Sequence, residues 1–103
     1  MDELKIIPLS AIPAQRFQCV LNDQNCTITI KKRGKYCYFS LVCNNVSIVE
    51  NVICLCGNNL IPYENINFVG SIFFIDVLGN EVPDYEQFNG RFRLCYVPDR
   101  YEV

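Results

Sequence analysis

Histidine is absent from this chain of 103 residues. Its absence removes the most frequent general base, the usual partner of a serine or cysteine nucleophile and the most frequent zinc ligand. The remaining acid–base candidates are Asp76, Asp84 and Glu86, which could pair across a cleft as the carboxylates of a glycosidase do. Asp76 ends a predicted strand and Asp84 lies in a Pro-Asp-Tyr turn, so structural roles are favoured. We therefore expect no enzymatic activity.

Phosphate-binding loops and long hydrophobic runs are also missing. The five glycines are isolated, which excludes the glycine-rich loops that cradle nucleotide phosphates. The longest apolar runs, at residues 52–56 and 72–75, are far shorter than the roughly 20 residues of a membrane-spanning helix. The first residues carry two acids where a signal peptide begins with basic residues, and Pro8 and Pro13 interrupt the following apolar stretch. We expect no membrane association, no signal peptide and synthesis in the cytoplasm.

Basic residues are too few to give the whole chain a positive field. Nine Lys and Arg stand against eleven Asp and Glu, for a formal net charge of −2. Attraction of the whole chain to nucleic acid or to an anionic membrane is therefore not expected. Four of the nine basic residues are nevertheless concentrated at positions 31–35, in a predicted hairpin turn around Gly34. This cluster is either a solvated hairpin tip or a docking contact for an acidic partner or nucleic acid.

Cysteine, in contrast, is abundant, since the chain contains seven. An odd number in a chain without an expected export signal favours reduced thiols, buried as small hydrophobes, over a disulfide framework. Cys54 and Cys56 are separated by one residue, whereas a tetrahedral zinc site usually takes two cysteine pairs with two residues between the ligands. We expect no metal site and no cofactor.

Alternation of apolar and polar residues between turn clusters dominates the sequence and predicts strands. Hairpin turns are predicted at residues 22–25 and at residues 31–35, and Asn44-Asn45 ends the strand that follows the second turn. No segment shows sustained helical spacing. The expected fold is therefore all-β, a single small sandwich or barrel of about six to seven mostly antiparallel strands. The predicted core contains Phe17, Ile28, Phe39, Leu41, Ile72, Phe74 and Leu94.

Segment 1–13 contains two prolines, and a strand interrupted by proline does not occupy the middle of a sheet. We predict that this segment forms an extended N-terminal arm and that residues 14–103 form a single β domain. The apolar side chains of Ile7, Leu9 and Ile12 in such an arm would need a partner to cover them. The arm is therefore expected to dock on a neighbouring protein.

Tyrosine is favoured at protein interfaces, because its ring is buried there while its hydroxyl forms hydrogen bonds. Tyr36 and Tyr38 alternate with predicted core residues and would face outward, and Tyr63 and Tyr85 lie in predicted loops. The candidate interface combines the arm, the basic hairpin and these tyrosines. Its residues are Ile7, Leu9, Ile12, Lys32, Arg33, Lys35, Tyr36, Tyr38, Tyr63 and Tyr85.

A series of short motifs follows in order along most of the chain. The motifs are Ile7-Pro8-Leu9, Pro13-Ala14-Gln15-Arg16-Phe17, the polar turn leading to Cys26, Ile48-Val49 followed by Cys54, Gly70 followed by Asp76 and Gly79, Pro83-Asp84-Tyr85, and Gly90-Arg91-Phe92-Arg93-Leu94-Cys95-Tyr96. In this order they resemble the small baseplate plug-type proteins of contractile-tailed bacteriophages. The resemblance implies a virion structural role at the base of the tail, without enzymatic activity.

We therefore predict a non-enzymatic structural subunit of the plug or hub region of a phage tail baseplate. It would be made in the host cytoplasm, reside in the virion and act by packing against other baseplate or tail proteins. A symmetric assembly repeats its interfaces, so three or six copies are expected. The alternative is a small β-barrel that binds nucleic acid through the hairpin 31–35 and the outward tyrosines, as an OB-like fold would. The negative net charge argues against nucleic acid as a partner.

Cys43 and Cys95 are the predicted sites of disulfide formation between subunits. An odd number of thiols cannot all pair within one chain, and a released particle meets an oxidising medium. Cys43 lies beside Asn44-Asn45, and Cys95 lies in the last predicted strand. We expect these positions to be more exposed than the interiors of the hairpins.

Overall fold

The computed structural model describes residues 4–61 and 68–98. These ranges contain seven strands and one 3₁₀ turn at Tyr85–Gln87, with no α-helix among the described residues. The predicted all-β class is therefore confirmed. The strands are β1 (Lys5–Ile7), β2 (Ala14–Leu21), β3 (Gln24–Arg33), β4 (Tyr36–Cys43), β5 (Val46–Ile53), β6 (Ser71–Asp76) and β7 (Phe92–Val97).

The strands form two antiparallel sheets. Strands β2, β3, β4 and β5 form a four-stranded meander, whereas β1, β7 and β6, in that order, form a three-stranded sheet. Side chains from both sheets belong to one core cluster, so the sheets pack as a sandwich. The segment after β5 joins the sheets on one side. There, the Cys54 N–H donates to the Cys37 carbonyl on β4, and the Gly57 N–H donates to the Phe74 carbonyl on β6.

Two-residue turns connect the strands of the meander. Asn22 and Asp23 both have positive φ, as do Asn44 and Asn45. This is the backbone of type I′ turns, whose twist matches that of the strands they join and which asparagine and aspartate tolerate. Gly34, with φ of 61°, is the first residue of the turn between β3 and β4. The first and third of these turns along the sheet differ in their effect: the register of β2 with β3 and of β3 with β4 continues unbroken from the turn, whereas the register of β4 with β5 shifts between Phe39 and Val42.

Alternation along the strands directs every second side chain into the sandwich. Phe17 packs against the core but is only partly buried, because β2 is an edge strand of its sheet. The prediction that Phe17 belongs to the core is therefore corrected, since Phe17 lies at the margin of the core. The other six residues predicted for the core are all 0% exposed. They are Ile28, Phe39, Leu41, Ile72, Phe74 and Leu94.

The N-terminal segment is integrated into the sandwich rather than extended away from it. Strand β1 pairs with β7, and Ile7 and Leu9 are 1% and 7% exposed in the core of their own chain. The Asn89 side chain accepts a hydrogen bond from the Leu9 N–H at 3.0 Å and donates to the Leu9 carbonyl. The extended arm is therefore not confirmed. Pro8 follows a short edge strand, where its missing N–H interrupts no interior ladder, so the segment can cover its own core.

Substitution of Phe74 by alanine is expected to lower the free energy of unfolding by roughly 3–5 kcal/mol. The Phe74 ring is fully buried and stacks on Phe88 with ring centroids 5.7 Å apart, so truncation leaves a cavity in the core. Chemical denaturation would measure the change. The matched control is Leu78→Ala, since Leu78 is 74% exposed. Its loss should cost less than about 0.5 kcal/mol. Equal effects of the two substitutions would contradict the assigned core.

Candidate interaction surface

The hairpin between β3 and β4 concentrates positive charge at one end of the molecule. Lys31, Lys32, Arg33 and Lys35 are all exposed around the turn at Gly34. Strand alternation places Lys31 and Arg33 on the outer face of the sheet, because the residues that alternate with them along β3 are buried in the core. The charges therefore project from both faces of the hairpin tip.

Tyrosine rings accompany these charges. In the register of β3 with β4, Lys31 lies opposite Tyr38 and Arg33 lies opposite Tyr36, so the half-buried rings share the outer face with the cations. The Nζ of Lys35 lies 5.7 Å from the centroid of the Tyr36 ring, within the range of a cation–π contact. The hairpin thus presents cations and aromatic rings side by side.

The opposite face of the hairpin contacts the loop that connects β6 to β7. The Nζ of Lys32 lies 5.6 Å from the centroid of the Tyr85 ring. A groove of about 270 Å³ separates the hairpin from this loop, and its lining includes Lys32, Lys35, Asp84 and Tyr85. The surface at this end of the molecule is called the basic end, and it consists of Lys31, Lys32, Arg33, Lys35, Tyr36, Tyr38 and Tyr85.

The cations of the basic end form no ion pair within the described part of the chain, although Asp84 lines the same groove as Lys32 and Lys35. Among residues 4–61 and 68–98, ion pairs join Arg91 to Asp76 and to Glu81, and none involves the four cations of the basic end. Cations without an ion pair in their own chain are available to an acidic surface on another molecule. The basic end therefore has the charge and the aromatic content of a protein-docking surface.

The structure brings most of the predicted interface residues to this end of the molecule. Ile12 is 44% exposed and precedes Pro13, whose carbonyl accepts a hydrogen bond from the Lys32 N–H at 2.8 Å, so it borders the basic end. Ile7 and Leu9 are buried in the core and have little surface to offer a partner. Tyr63 lies outside the described residues.

Lys31 belongs to the same surface, although it is absent from the predicted interface. It joins the surface because the two-residue turn aligns it with Tyr38 on the outer face. Counting back from Tyr38 across a two-residue loop identifies Lys31 from the sequence. The predicted turn spans residues 31–35, so it places Lys31 in the turn and not in the strand, and the pairing of Lys31 with Tyr38 is missed.

Asp76 and Asp84 have structural roles. The Asp76 carboxylate accepts hydrogen bonds from the Arg91 guanidinium, from Nε at 2.8 Å and from Nη2 at 2.9 Å. These hydrogen bonds hold the pKa of Asp76 well below its usual range. The Asp84 side chain accepts the Glu86 N–H at 3.1 Å and caps the 3₁₀ turn. Both carboxylates therefore order the loop between β6 and β7.

The cysteines expected to be exposed are buried. Cys43 is 1% exposed and Cys95 is 0% exposed, so the prediction of their accessibility is wrong. Cys43 ends β4 but points to the inner face, and Cys95 lies on β7, the middle strand of its sheet. Cys54 is fully buried, and burial raises its pKa well above the usual range. The described residues contain no group of three or more cysteine, aspartate or glutamate side chains arranged so that they could hold a metal ion.

The described part of the chain is a small all-β domain with a cluster of cations at one end. The family model described as cyanophage baseplate Pam3 plug gp18 matches residues 4–99, a range that includes all seven strands. The chain belongs to this family of phage baseplate plug proteins, and the predicted resemblance is confirmed. Among curated proteins, no sequence matches the chain significantly.

Membership of this family establishes a structural role in the phage baseplate. It implies contact with other baseplate or tail proteins and a location in the virion tail. A structural family of this kind also suggests a non-enzymatic role. Within the residues that the structure describes, no helix is long and apolar enough to span a bilayer.

Substitution of Asp76 by asparagine is expected to reduce the loss of thermal stability that the protein undergoes when the pH falls from 7 to 3. Because the folded state lowers the Asp76 pKa, its contribution to stability is complete above the unfolded-state pKa of about 4. The contribution is then lost as the pH falls from that value toward the folded-state pKa. The variant should unfold at a lower temperature than the wild type at pH 7, and its Tm should fall less between pH 7 and pH 3. Thermal unfolding at both pH values measures this.

Glu86→Gln serves as the control for Asp76→Asn, because it removes an exposed carboxylate from the same loop. It should leave the difference in Tm between pH 7 and pH 3 close to that of the wild type. If Tm falls between pH 7 and pH 3 by as much in the Asp76→Asn variant as in the wild type, the role assigned to the contact with Arg91 is contradicted.

Proposed function

We propose that this protein is a subunit of the plug or hub region of the baseplate and that it acts by packing against neighbouring baseplate proteins through the basic end. The observation that carries the proposal is a set of four cations without an ion-pair partner in the described residues, flanked by tyrosine rings. The family match supplies the assembly in which such a surface would be used.

The chemistry of the basic end favours an acidic protein as its partner. Carboxylates on a neighbour can form charge-assisted hydrogen bonds with Arg33 and pair with the flanking lysines. Tyr36 and Tyr38 are half-buried, so a partner that covers their rings removes apolar surface from water. Arginine and tyrosine are the residues on which binding energy concentrates at interfaces.

The basic end would dock as a preformed surface whose shape and positive charge match the neighbouring protein. The hairpin is held by the Gly34 turn and by the hydrogen bond from the Lys32 N–H to the Pro13 carbonyl, so little order has to be gained on docking. In a ring of three or six copies, each subunit would present the same surface to an equivalent neighbour. Repetition of a modest contact around a closed ring gives a stable assembly.

Reversing two charges of the basic end should prevent assembly. In the Arg33→Glu and Lys35→Glu double variant, like charges would oppose the acidic partner, and we expect roughly tenfold less protein in assembled particles. Quantitative mass spectrometry of particles purified from cells that supply the variant in place of the wild type would measure this. Circular dichroism and thermal unfolding of the isolated variant establish that it folds.

The matched control is the Lys5→Glu and Arg93→Glu double variant, which changes the net charge equally at positions outside the basic end. It should be incorporated at the wild-type level. Wild-type incorporation of the Arg33→Glu and Lys35→Glu variant would overturn docking through the basic end.

Binding to single-stranded DNA tests the alternative function with the same variants. We expect no appreciable affinity of the wild type at physiological salt. Binding that weakens steeply with salt and is lost in the Arg33→Glu and Lys35→Glu variant would favour nucleic acid as the partner instead.

A further inference from the structure

Three cysteines lie side by side across the four-stranded sheet. Cys19 on β2 is directly opposite Cys26 on β3, and Cys26 is directly opposite Cys43 on β4. All three belong to the series of residues that points into the sandwich. Cys26 and Cys43 are each 1% exposed, whereas Cys19, on the edge strand, is partly exposed. The thiols therefore form a row that leads from the open edge of the sheet into the core.

The pair formed by Cys26 and Cys43 has the closer backbone spacing. The neighbouring residues Asn25 and Asn44 are joined by a backbone hydrogen bond of 2.9 Å. Bonded and non-bonded pairs alternate along an antiparallel ladder, so Cys26 and Cys43 form a non-bonded pair. The Cα atoms of such pairs are about 4.5 Å apart, within the range of about 4.4–6.8 Å found in disulfides. The two thiols also have a common neighbour, since the Cys26 thiol donates to the Gln24 carbonyl at 3.5 Å and the Cys43 thiol donates to the Gln24 Oε1 at 3.8 Å.

Cys19 and Cys26 form a hydrogen-bonded pair in the same ladder pattern. The Lys32 N–H donates to the Pro13 carbonyl, so Pro13 and Lys32 are a hydrogen-bonded pair of this ladder. Because the two types of pair alternate, and Cys19 lies six residues after Pro13, Cys19 and Cys26 are a hydrogen-bonded pair as well. Hydrogen-bonded pairs have Cα atoms about 5.5 Å apart and side chains that are less close. Both Cα spacings lie within the range of disulfides, but the side chains of the non-bonded pair are the closer ones, which favours a final bond between Cys26 and Cys43. Cys19 remains close enough to Cys26 to exchange with it.

We propose that Cys26 and Cys43 form a disulfide within one chain when the protein meets a peroxide-class oxidant, and that Cys19 is the thiol on which the oxidant first acts. Cys19 is the member of the row that solvent reaches. Cys26 is 1% exposed, and burial raises its pKa to about 12, so a dissolved oxidant has little access to its sulfur, whereas attack on the adjacent Cys19 needs no access from solvent. Burial also raises the pKa of Cys19, but the Lys5 ammonium opposes that shift. This pairing differs from a bond between subunits, because the buried Cys43 faces a partner thiol in its own chain.

The reaction balances in three steps. The Cys19 sulfur attacks hydrogen peroxide, the O–O bond breaks, and Cys19 becomes a sulfenic acid while one water leaves. The Cys26 sulfur then attacks Cys19, the S–O bond breaks, and a second water leaves as the disulfide between Cys19 and Cys26 forms. The Cys43 sulfur finally attacks Cys26, and Cys19 departs and regains a proton. Overall, two thiols lose two protons and two electrons, and one peroxide is reduced to two waters.

Hydrogen peroxide treatment of the reduced, folded protein tests the proposal. Intact mass should fall by two hydrogen atoms. Digestion with trypsin and with proteases specific for glutamate and aspartate should yield the peptide of Cys26 joined to that of Cys43, since cleavage at Asp23 separates Cys26 from Cys19. Cys19 should remain free and alkylatable. Oxygen addition alone, disulfide-linked dimers, or a different cysteine pair in the wild type would overturn the assignment.

Single substitutions separate the roles of the three thiols. In Cys43→Ser, oxidation should stop at the bond between Cys19 and Cys26, and in Cys26→Ser no disulfide should form in the row. In Cys19→Ser, the bond between Cys26 and Cys43 should form about tenfold more slowly. Thermal unfolding shows which variants fold, and Cys26→Ala and Cys43→Ala replace any that do not. A wild-type rate in folded Cys19→Ser would overturn the entry role of Cys19.

Cys37→Ser is the matched control. Cys37 is also a buried thiol on β4, opposite Cys54, and its thiol points toward the Pro83 carbonyl at 3.9 Å. Because Cys37 and Cys43 fall in the same proteolytic peptide, this variant also identifies which of the two is bonded to Cys26. Its oxidation rate and product should match those of the wild type, and loss of the product in folded Cys37→Ser would overturn the assignment to Cys43.

Discussion

Three two-residue turns join the strands of the four-stranded sheet. The unbroken register of β2 with β3 and of β3 with β4 fixes the positions of both the basic end and the row of cysteines. Side chains alternate between the two faces of a strand, so a slip of one residue would move the core of a strand into solvent. The positive φ of Asn22, Asp23, Asn44 and Asn45, with Gly34 in the third turn, makes each turn compatible with the twist of its strands. The identity of a few turn residues thus determines which side chains meet along β2, β3 and β4, which are eight or ten residues long, whereas the register of β4 with β5 shifts between Phe39 and Val42.

The same register produces an exposed feature and a buried one at opposite ends of one hairpin. Near the Gly34 turn, it aligns Lys31 with Tyr38 on the outer face and creates the basic end. At the far end of the same two strands, it aligns Cys26 with Cys43 on the inner face. Charge on the outside and thiols on the inside are therefore consequences of a single alternation. A covalent bond at the inner site would restrain the strands that carry the proposed docking surface.

All the described strands except β1, most of the core and the basic cluster could be predicted from the sequence, because alternation, turn residues and charge runs are local signals. Ile28 is assigned to the inner face by local patterning alone. The order of the strands in each sheet is not a local property. The partial exposure of Phe17 follows from the position of β2 at the edge of its sheet. The burial of Leu9 follows from the sheet of β1, β7 and β6, whose last two strands lie far along the chain from Leu9. Proximity to a turn suggests that Cys43 is exposed, but the face of the strand decides its burial. The contact of the basic cluster with Tyr85 depends on how the loop after β6 folds back.

The pairing of β1 with β7 also has a consequence for the order of folding. Lys5 lies opposite Tyr96, so this contact spans almost all of the described chain, whereas the meander is built from neighbouring strands joined by short turns. Closing a long loop costs more conformational entropy than closing a short one, and distant contacts form slowly. The meander can therefore form early, while the three-stranded sheet has to wait for β7. During synthesis on the ribosome, β1 would remain without its partner until β7 has emerged, so the sandwich closes only after that strand has left the exit tunnel.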